Sequence, residues 1–293
     1  MILRAAPRID FAGGFVDNIA FERGVRGYFT SGAIRPLVSR SAGTVDLQGY
    51  RERSGLAIST SLSCLEYLQQ LKSGPSYLAT TGLESFAQEV WEYENRKYNI
   101  EVGKGDVWPI VLGGLRCFEC NADRISICPI QFSAATLAAL EQQLVLVDSG
   151  RSRDSEHILN EFSRRYDSGT GETREAFATL SQCGRAFAET LATGDIAGCG
   201  TIMHRNWEAE KVLAPSVTAP YLDAIYEYAV HHGATGGKLC GAGGGGYFIF
   251  VVVQPHVFGR DLISAFPECA LRPFALEPRN LLQILTDPPE AQP

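Results

Sequence analysis

Residues 241–246 read GAGGGG, set between KLC and the apolar run YFIFVVV. Five glycines in six positions constrain this chain more than any other feature. Glycine loses more backbone freedom on folding than other residues, so such a run survives only where side chains would be in the way. As a pattern, Gly241 to Gly246 satisfies G-x-G-x-x-G. That fingerprint works by feeding a strand into the loop and a helix out of it, with the pyrophosphate on the helix N-terminus. Here the order is reversed, because a helical stretch, Pro220–Gly233, precedes the loop and a strand, Tyr247–Val253, follows it. A P-loop fails as well, since Lys238 is followed by Leu239 and not by Ser or Thr. A hairpin turn needs one or two glycines. What remains is a bare loop that a ligand or another backbone approaches closely.

The flanking pattern sets the fold class. Short strand-like runs dominate the first half: MILRAAPRIDFAGG, RGYFTSG, AIRPLVSR and LRCFECN…RISICPI. Helical spacing predicts a helix over Leu78–Asn99, where Phe86, Val90 and Tyr93 share a face, and a shorter one from near Leu62 to the Gly74-Pro75 break. LVLVDSG (Leu144–Gly150) reads as a buried strand. From Ser152 to Leu213 the pattern is helical, broken at DSGTGE and ATGDIAG. After the glycine loop come a strand, a helix near Phe258–Phe266 and a last strand near Leu271–Leu276. Strands early, helices in the middle and strands again late predict α+β and not an alternating doubly wound sheet.

At 293 residues with a formal net charge of −7, the chain fits one large or two joined domains and argues against a nucleic-acid surface. Its longest apolar run is strand-sized, and Arg4, Arg8 and Asp10 stand where a signal peptide needs an apolar core; the expectation is a cytoplasmic protein. The eight cysteines include a single C-x-x-C, Cys117 and Cys120, with no second pair to complete a zinc site. Reduced, packed thiols are expected.

GGKLCGAGGGGYFIF resembles the third conserved motif of the GHMP kinases, in particular the branch that phosphorylates D-glycero-D-manno-heptose 7-phosphate. MHRNWEAEKVLAPSVTAPYLDAIYEYAVHHGATGGKL and LVLVDSGRSRDSEHIL are similar to the same branch. RAAPRIDFAGGFVD resembles its opening motif with one additional residue before Pro7. Gly55-Leu56-Ala57-Ile58-Ser59-Thr60-Ser61 takes the place of its phosphate-binding loop, and EVGKGDVWPIVLGGL brings Gly103, Lys104, Asp106, Gly113 and Gly114 into register with its catalytic segment.

The resemblance implies a two-domain fold: an N-terminal ribosomal-protein-S5-like α/β domain over 1–148, shortened between Asp17 and Gly55, and a C-terminal ferredoxin-like α+β domain over 149–293. It implies ATP and Mg2+ as cofactors and a sugar or sugar phosphate as acceptor. Asp106 takes the position of the base, with Lys104 beside it. Gly55, Leu56, Ala57, Ser59, Thr60 and Ser61 take the nucleotide phosphates, and Ser59 and Glu94 take Mg2+. Arg8, Gly13, Gly14, Asp17, Gly241, Ala242, Gly243 and Gly244 fall on the acceptor side. Arg8, Lys104 and Arg153 are candidate cations for a phosphate on the acceptor. A homodimer, a cyclitol kinase, a catalytically weak binding relative and an ATP-dependent decarboxylase remain as alternatives. The loop reading further implies that Gly243→Val damages catalysis more than folding.

Overall fold

A computed structural model of the chain describes residues 2–41, 44–48, 50, 58–71, 74–98, 103–122, 124–151 and 155–287. The first half runs β1 (Leu3–Ala5), β2 (Arg8–Ala12), α1 (Val16–Arg23), β3 (Arg26–Arg35), β4 (Val38–Ser41), β5 (Thr44–Asp46), α2 (Ile58–Gln70), α3 (Pro75–Thr81), α4 (Leu83–Tyr98), a 3-10 turn (Lys104–Asp106), α5 (Val107–Leu112), β6 (Leu115–Asn121), β7 (Arg124–Ile127) and α6 (Ala134–Gln143). The second half runs β8 (Leu144–Asp148), α7 (Ser155–Ser168), α8 (Gly171–Ala192), α9 (Ile196–Leu213), α10 (Pro220–His231), β9 (Ala234–Leu239), β10 (Tyr247–Val252), α11 (Pro255–Ala265), β11 (Ala270–Arg272), β12 (Ala275–Leu276) and α12 (Leu281–Thr286).

All recorded strand pairs are antiparallel. One sheet has the order β12-β3-β6-β7 with β2 also on β3, a second is β1-β4-β5, and a third is β11-β8-β10-β9. This is the α+β arrangement the pattern implied, in two units. β8, which ends at the boundary expected after residue 148, pairs with β10 and β11 in the third sheet. The chain also returns at its far end, where β12 pairs with β3 and α12 packs on β1, α3 and α5.

The expected strand Leu271–Leu276 is two strands in two sheets. Pro273 lies between them, and its missing N–H cannot continue a ladder. The expected helix Leu78–Asn99 is likewise two, since the chain leaves the helix at Gly82, whose N–H caps Leu78. The breaks read in the middle of the chain hold, at Gly169 between α7 and α8 and at Gly194 between α8 and α9.

The antiparallel pair α8–α9 lies between the sheets, α8 against β2 and β3 and α9 against β9 and β10. The core there joins Ile9 and Phe11, Phe187 and Leu191, Met203, and Tyr247 and Ile249, with Phe11 stacked on Phe187 at 5.3 Å. Gly184 permits the close approach: a Cβ there would lie 2.0 Å from the Tyr28 carbonyl oxygen, and the Gly184 carbonyl accepts the Thr30 hydroxyl at 2.6 Å. A second core fills the space under α2, α4 and α5. A third lies under α7, α10 and α11 on the far face of the third sheet. All eight cysteines are unbridged and buried. Among the described residues no helix is long and apolar enough to cross a membrane.

Candidate functional site

Side chains two apart on a strand share a face, so β2 presents Arg8 and Asp10 together. The Arg8 guanidinium bonds both Asp10 and Asp106. Asp106 closes the 3-10 turn and opens α5, where the N-terminal dipole favours a negative charge. Arg8 and Asp10 are buried, while the Asp106 side chain keeps 34% exposure. The geometry is a carboxylate oriented from behind and open in front.

Beyond β2 the chain turns at Gly13-Gly14 into α1. Asp17, in the first turn of that helix, accepts the Gly105 N–H at 2.8 Å. Motif one and the segment carrying Asp106 are therefore stitched together at Asp17. Burial raises the Asp17 carboxyl above its ordinary range, against the Gly105 N–H and the Arg8 charge.

Lys104 follows a different course. Its ammonium lies 4.8 Å from the Trp91 ring centroid and 5.6 Å from that of Trp108, and it donates to Gln88 Oε1 at 3.0 Å. It clamps the 3-10 turn to α4 and forms no ion pair with Asp106. Lys104, expected among the catalytic residues, is thus found with its ammonium against Trp91, Trp108 and Gln88.

The metal candidates also rearrange. Glu94 is 4% exposed, and burial raises its carboxyl, opposed by the hydroxyls of Ser63 and Thr60. Ser59, the expected partner, is exposed on α2; the helical turn carries Thr60 inward in its place. Ser61 donates to the Ala6 carbonyl at 2.8 Å, which docks the start of α2 onto the chain two residues before Arg8. Gly55, Leu56, Ala57 and Arg153 lie outside the described residues. Among those described, no group of three or more His, Cys, Asp or Glu could hold a metal ion. One buried carboxylate with hydroxyls beside it suits Mg2+, which takes one or two carboxylates and draws the rest of its shell from water and phosphate.

The glycine run is the hairpin between β9 and β10. The Gly244 N–H donates to Val217 O at 2.6 Å and the Gly246 N–H to Arg151 O at 2.8 Å, while Ser149 N–H returns to Gly246 O at 2.9 Å. The close backbone approach expected of this loop is thus met in part by the chain itself. Gly243 has φ +91°, and a Cβ there would lie 2.2 Å from Val217 Cγ2. Gly243→Val, expected to damage catalysis more than folding, therefore also meets Val217 within the fold.

One grouping was not legible in sequence. Asn206 and Glu210, one helical turn apart on α9, face the Gly13-Gly14 turn. Gly13 N–H donates to Asn206 Oδ1 at 2.7 Å, and Asn206 Nδ2 donates to Glu210 Oε1 at 2.8 Å. Lys238 Nζ lies 3.4 Å from Glu210 Oε1 and donates to Leu239 O at 2.7 Å. Burial pushes the Glu210 carboxyl up to about 7, against the opposing pull of Lys238 and Asn206. The i, i+4 spacing of Asn206 and Glu210 was the available signal, but in WEAEKV a glutamate reads as a solvated charge.

The result is an α+β fold of antiparallel sheets packed on a helical pair, with Asp106 held by Arg8 at a helix start. Residues 185–257 match the family model described as GHMP kinases C terminal. A crystal structure of a D-glycero-D-manno-heptose 1-phosphate kinase from Bacteroides thetaiotaomicron superposes with a TM-score of 0.68 at 16% identity, over 95% of this chain and 97% of that one. The D-glycero-alpha-D-manno-heptose 7-phosphate kinase of Campylobacter jejuni is 27% identical over 172 residues, 58% of this chain and 50% of its own length. The bifunctional fucokinase/GDP-fucose pyrophosphorylase of Arabidopsis thaliana is 26% identical over 157 residues, 51% of this chain and 15% of its own. The chain thus spans half the length of the first of these curated relatives and less of the second. Residues 185–257 are thus the part of the chain that matches the GHMP kinase C-terminal model, and the fold is the one seen in the heptose 1-phosphate kinase structure.

Proposed function

We propose that the chain transfers the terminal phosphoryl group of ATP to a hydroxyl of a sugar or sugar phosphate. The observation that carries this reading is Asp106, held at a helix start by Arg8, open to one side, and joined through Gly105 to Asp17. The similarity to heptose phosphate kinases supports the class of acceptor.

Phosphoryl transfer asks a protein chiefly for positioning and charge neutralisation. ATP with Mg2+ supplies the group transferred and the phosphate oxygens that complete the metal's shell. Glu94 and Thr60 would hold the metal. Gly55, Leu56, Ala57 and Ser59, with N–H groups at the start of α2, would take phosphate oxygens. Asp106 accepts the proton of the acceptor hydroxyl, and Arg8 fixes its direction. Asp17 accepts hydrogen bonds from neighbouring hydroxyls, with Gly13, Gly14 and Gly241–Gly244 as the bare walls of the acceptor side. Lys104 keeps the turn in place from behind. Arg8 and Lys238 are already paired with carboxylates, so a phosphate on the acceptor would call on a further cation, Arg153 being the candidate in the sequence.

The test is ADP release against heptoses, hexoses, cyclitols and their phosphates, for the wild type and Asp106→Asn. The variant is expected to keep ATP affinity by calorimetry and to lose about 10²–10⁴-fold in turnover. Turnover near the wild-type level removes Asp106 from its role. Absence of ATP binding in the presence of Mg2+ removes the kinase reading.

A further inference from the structure

Glu210 and Lys238 are each 1% exposed, and Glu210 Oε2 is buried without a hydrogen-bond partner. Chains rarely keep a buried carboxylate with an unsatisfied oxygen unless it does something an amide or an apolar residue would not. The orientation of Asn206 shows what that could be. An ionised carboxylate only accepts hydrogen bonds, so Glu210 fixes the Asn206 amide with its NH2 inward and its Oδ1 toward the Gly13 N–H. Lys238 holds the carboxylate from β9, the strand that enters the glycine hairpin. Across Gly14, where a Cβ would lie 3.3 Å from Glu210 Oε1 and 4.0 Å from both Asp10 Oδ2 and Lys238 Nζ, this group meets the Arg8–Asp10 pair. The groups facing Glu210 are therefore Asn206 from its own helix, Lys238 from β9, and Asp10 from β2 with Arg8 behind it.

We propose that Glu210 is a positioning residue: through Asn206 it holds the turn that carries Asp17, and through Lys238 it fixes that turn relative to the glycine hairpin. The two acceptor-side loops, over 190 residues apart in the chain (Gly13 to Asn206 alone spans 193), are then held by one buried carboxylate. The assignment of these loops to the acceptor rests on the kinase reading; the mechanical link does not.

The experiment is hydrogen–deuterium exchange on the intact chain, comparing peptides over Gly13–Asp17 with peptides over β8 and β10. Glu210→Ala and Asn206→Ala are expected to speed exchange in the turn at least about tenfold, the loss of one amide's protecting bond, and to leave β8 and β10 unchanged. Glu210→Gln, whose side-chain oxygen can still accept from Asn206, should preserve most of the protection. Wild-type exchange at the turn in both alanine variants overturns the proposal, and so does an equal rise in β8 and β10, which marks a merely structural role. Should Glu210→Ala not fold, Asn206→Ala leaves the Glu210–Lys238 pair intact and decides the same point. With any acceptor the wild type phosphorylates, both variants should raise KM for the acceptor and leave KM for ATP unchanged. If the wild type phosphorylates none, the kinase reading fails while the exchange result still judges this proposal.

Discussion

Glu210 makes the stability of this protein depend on pH in an unusual direction. Its folded pKa of about 7 lies above the ordinary 4.5, so the folded chain holds the proton more tightly than the unfolded chain. The stabilisation from that proton is fully present below about pH 4.5, declines as pH rises, and is gone above about pH 7. A difference of roughly 2.5 units, at 1.36 kcal/mol each, amounts to about 3 kcal/mol. Most carboxylates act in the opposite sense, so the effect must be isolated by difference. Glu210→Gln removes the proton equilibrium and keeps the shape. Urea unfolding at intervals from pH 5 to 8 gives the stability of each form. Wild type minus variant should fall by about 2–3 kcal/mol across that range and level off above pH 7. A difference that stays flat, or rises with pH, would refute the reasoning, because it would mean that Glu210 is ionised in the fold at no cost.

Two further substitutions follow from contacts already described. Gly243→Val must move Val217 and force a branched side chain to φ +91°, so thermal unfolding should show a loss of about 2–3 kcal/mol or more; an unchanged midpoint would contradict the packing of the hairpin on Val217. Glu94→Gln removes the buried carboxylate beside Thr60 and Ser63, and calorimetry should show ATP affinity that no longer responds to added Mg2+, whereas a preserved Mg2+ response would remove Glu94 from the metal site.

What could be read in the sequence was what local chemistry marks. Gly169 and Gly194 mark the ends of α7 and α8, and the order of helix, glycine run and strand excluded a dinucleotide loop before any coordinates. The segment Val16–Arg23 was not legible as α1: it lies between the Gly13-Gly14 turn and Gly24, and only the buried spacing of Val16, Ile19 and Ala20 marks it as a helix. On α2 the sequence supplied three neighbouring hydroxyls and no means of choosing among them. The helical rotation separates them, turning Ser59 out, Thr60 toward Glu94 and Ser61 onto Ala6. Lys104 was in register with a catalytic segment, yet register along a chain does not say which way a side chain leaves a 3-10 turn. The Asn206–Glu210–Lys238 group joins three separate positions whose relation exists only once α9 lies against β9.

The return of β12 to β3 has a consequence for synthesis. Ala275 and Leu276 pair with Arg35 and Ile34, and Glu277 behind them is fully buried and gripped by both oxygens by Arg279, at 2.9 and 2.8 Å. The first sheet therefore stays one strand short until almost all of this sequence has left the ribosome. Its partner for Arg35 and Ile34 arrives only after most of the third sheet has been made. Contacts so remote in sequence slow folding, and a chain cut at Pro273 would keep the glycine hairpin, Asp106 and Glu94 but lose the β12 pairing with β3.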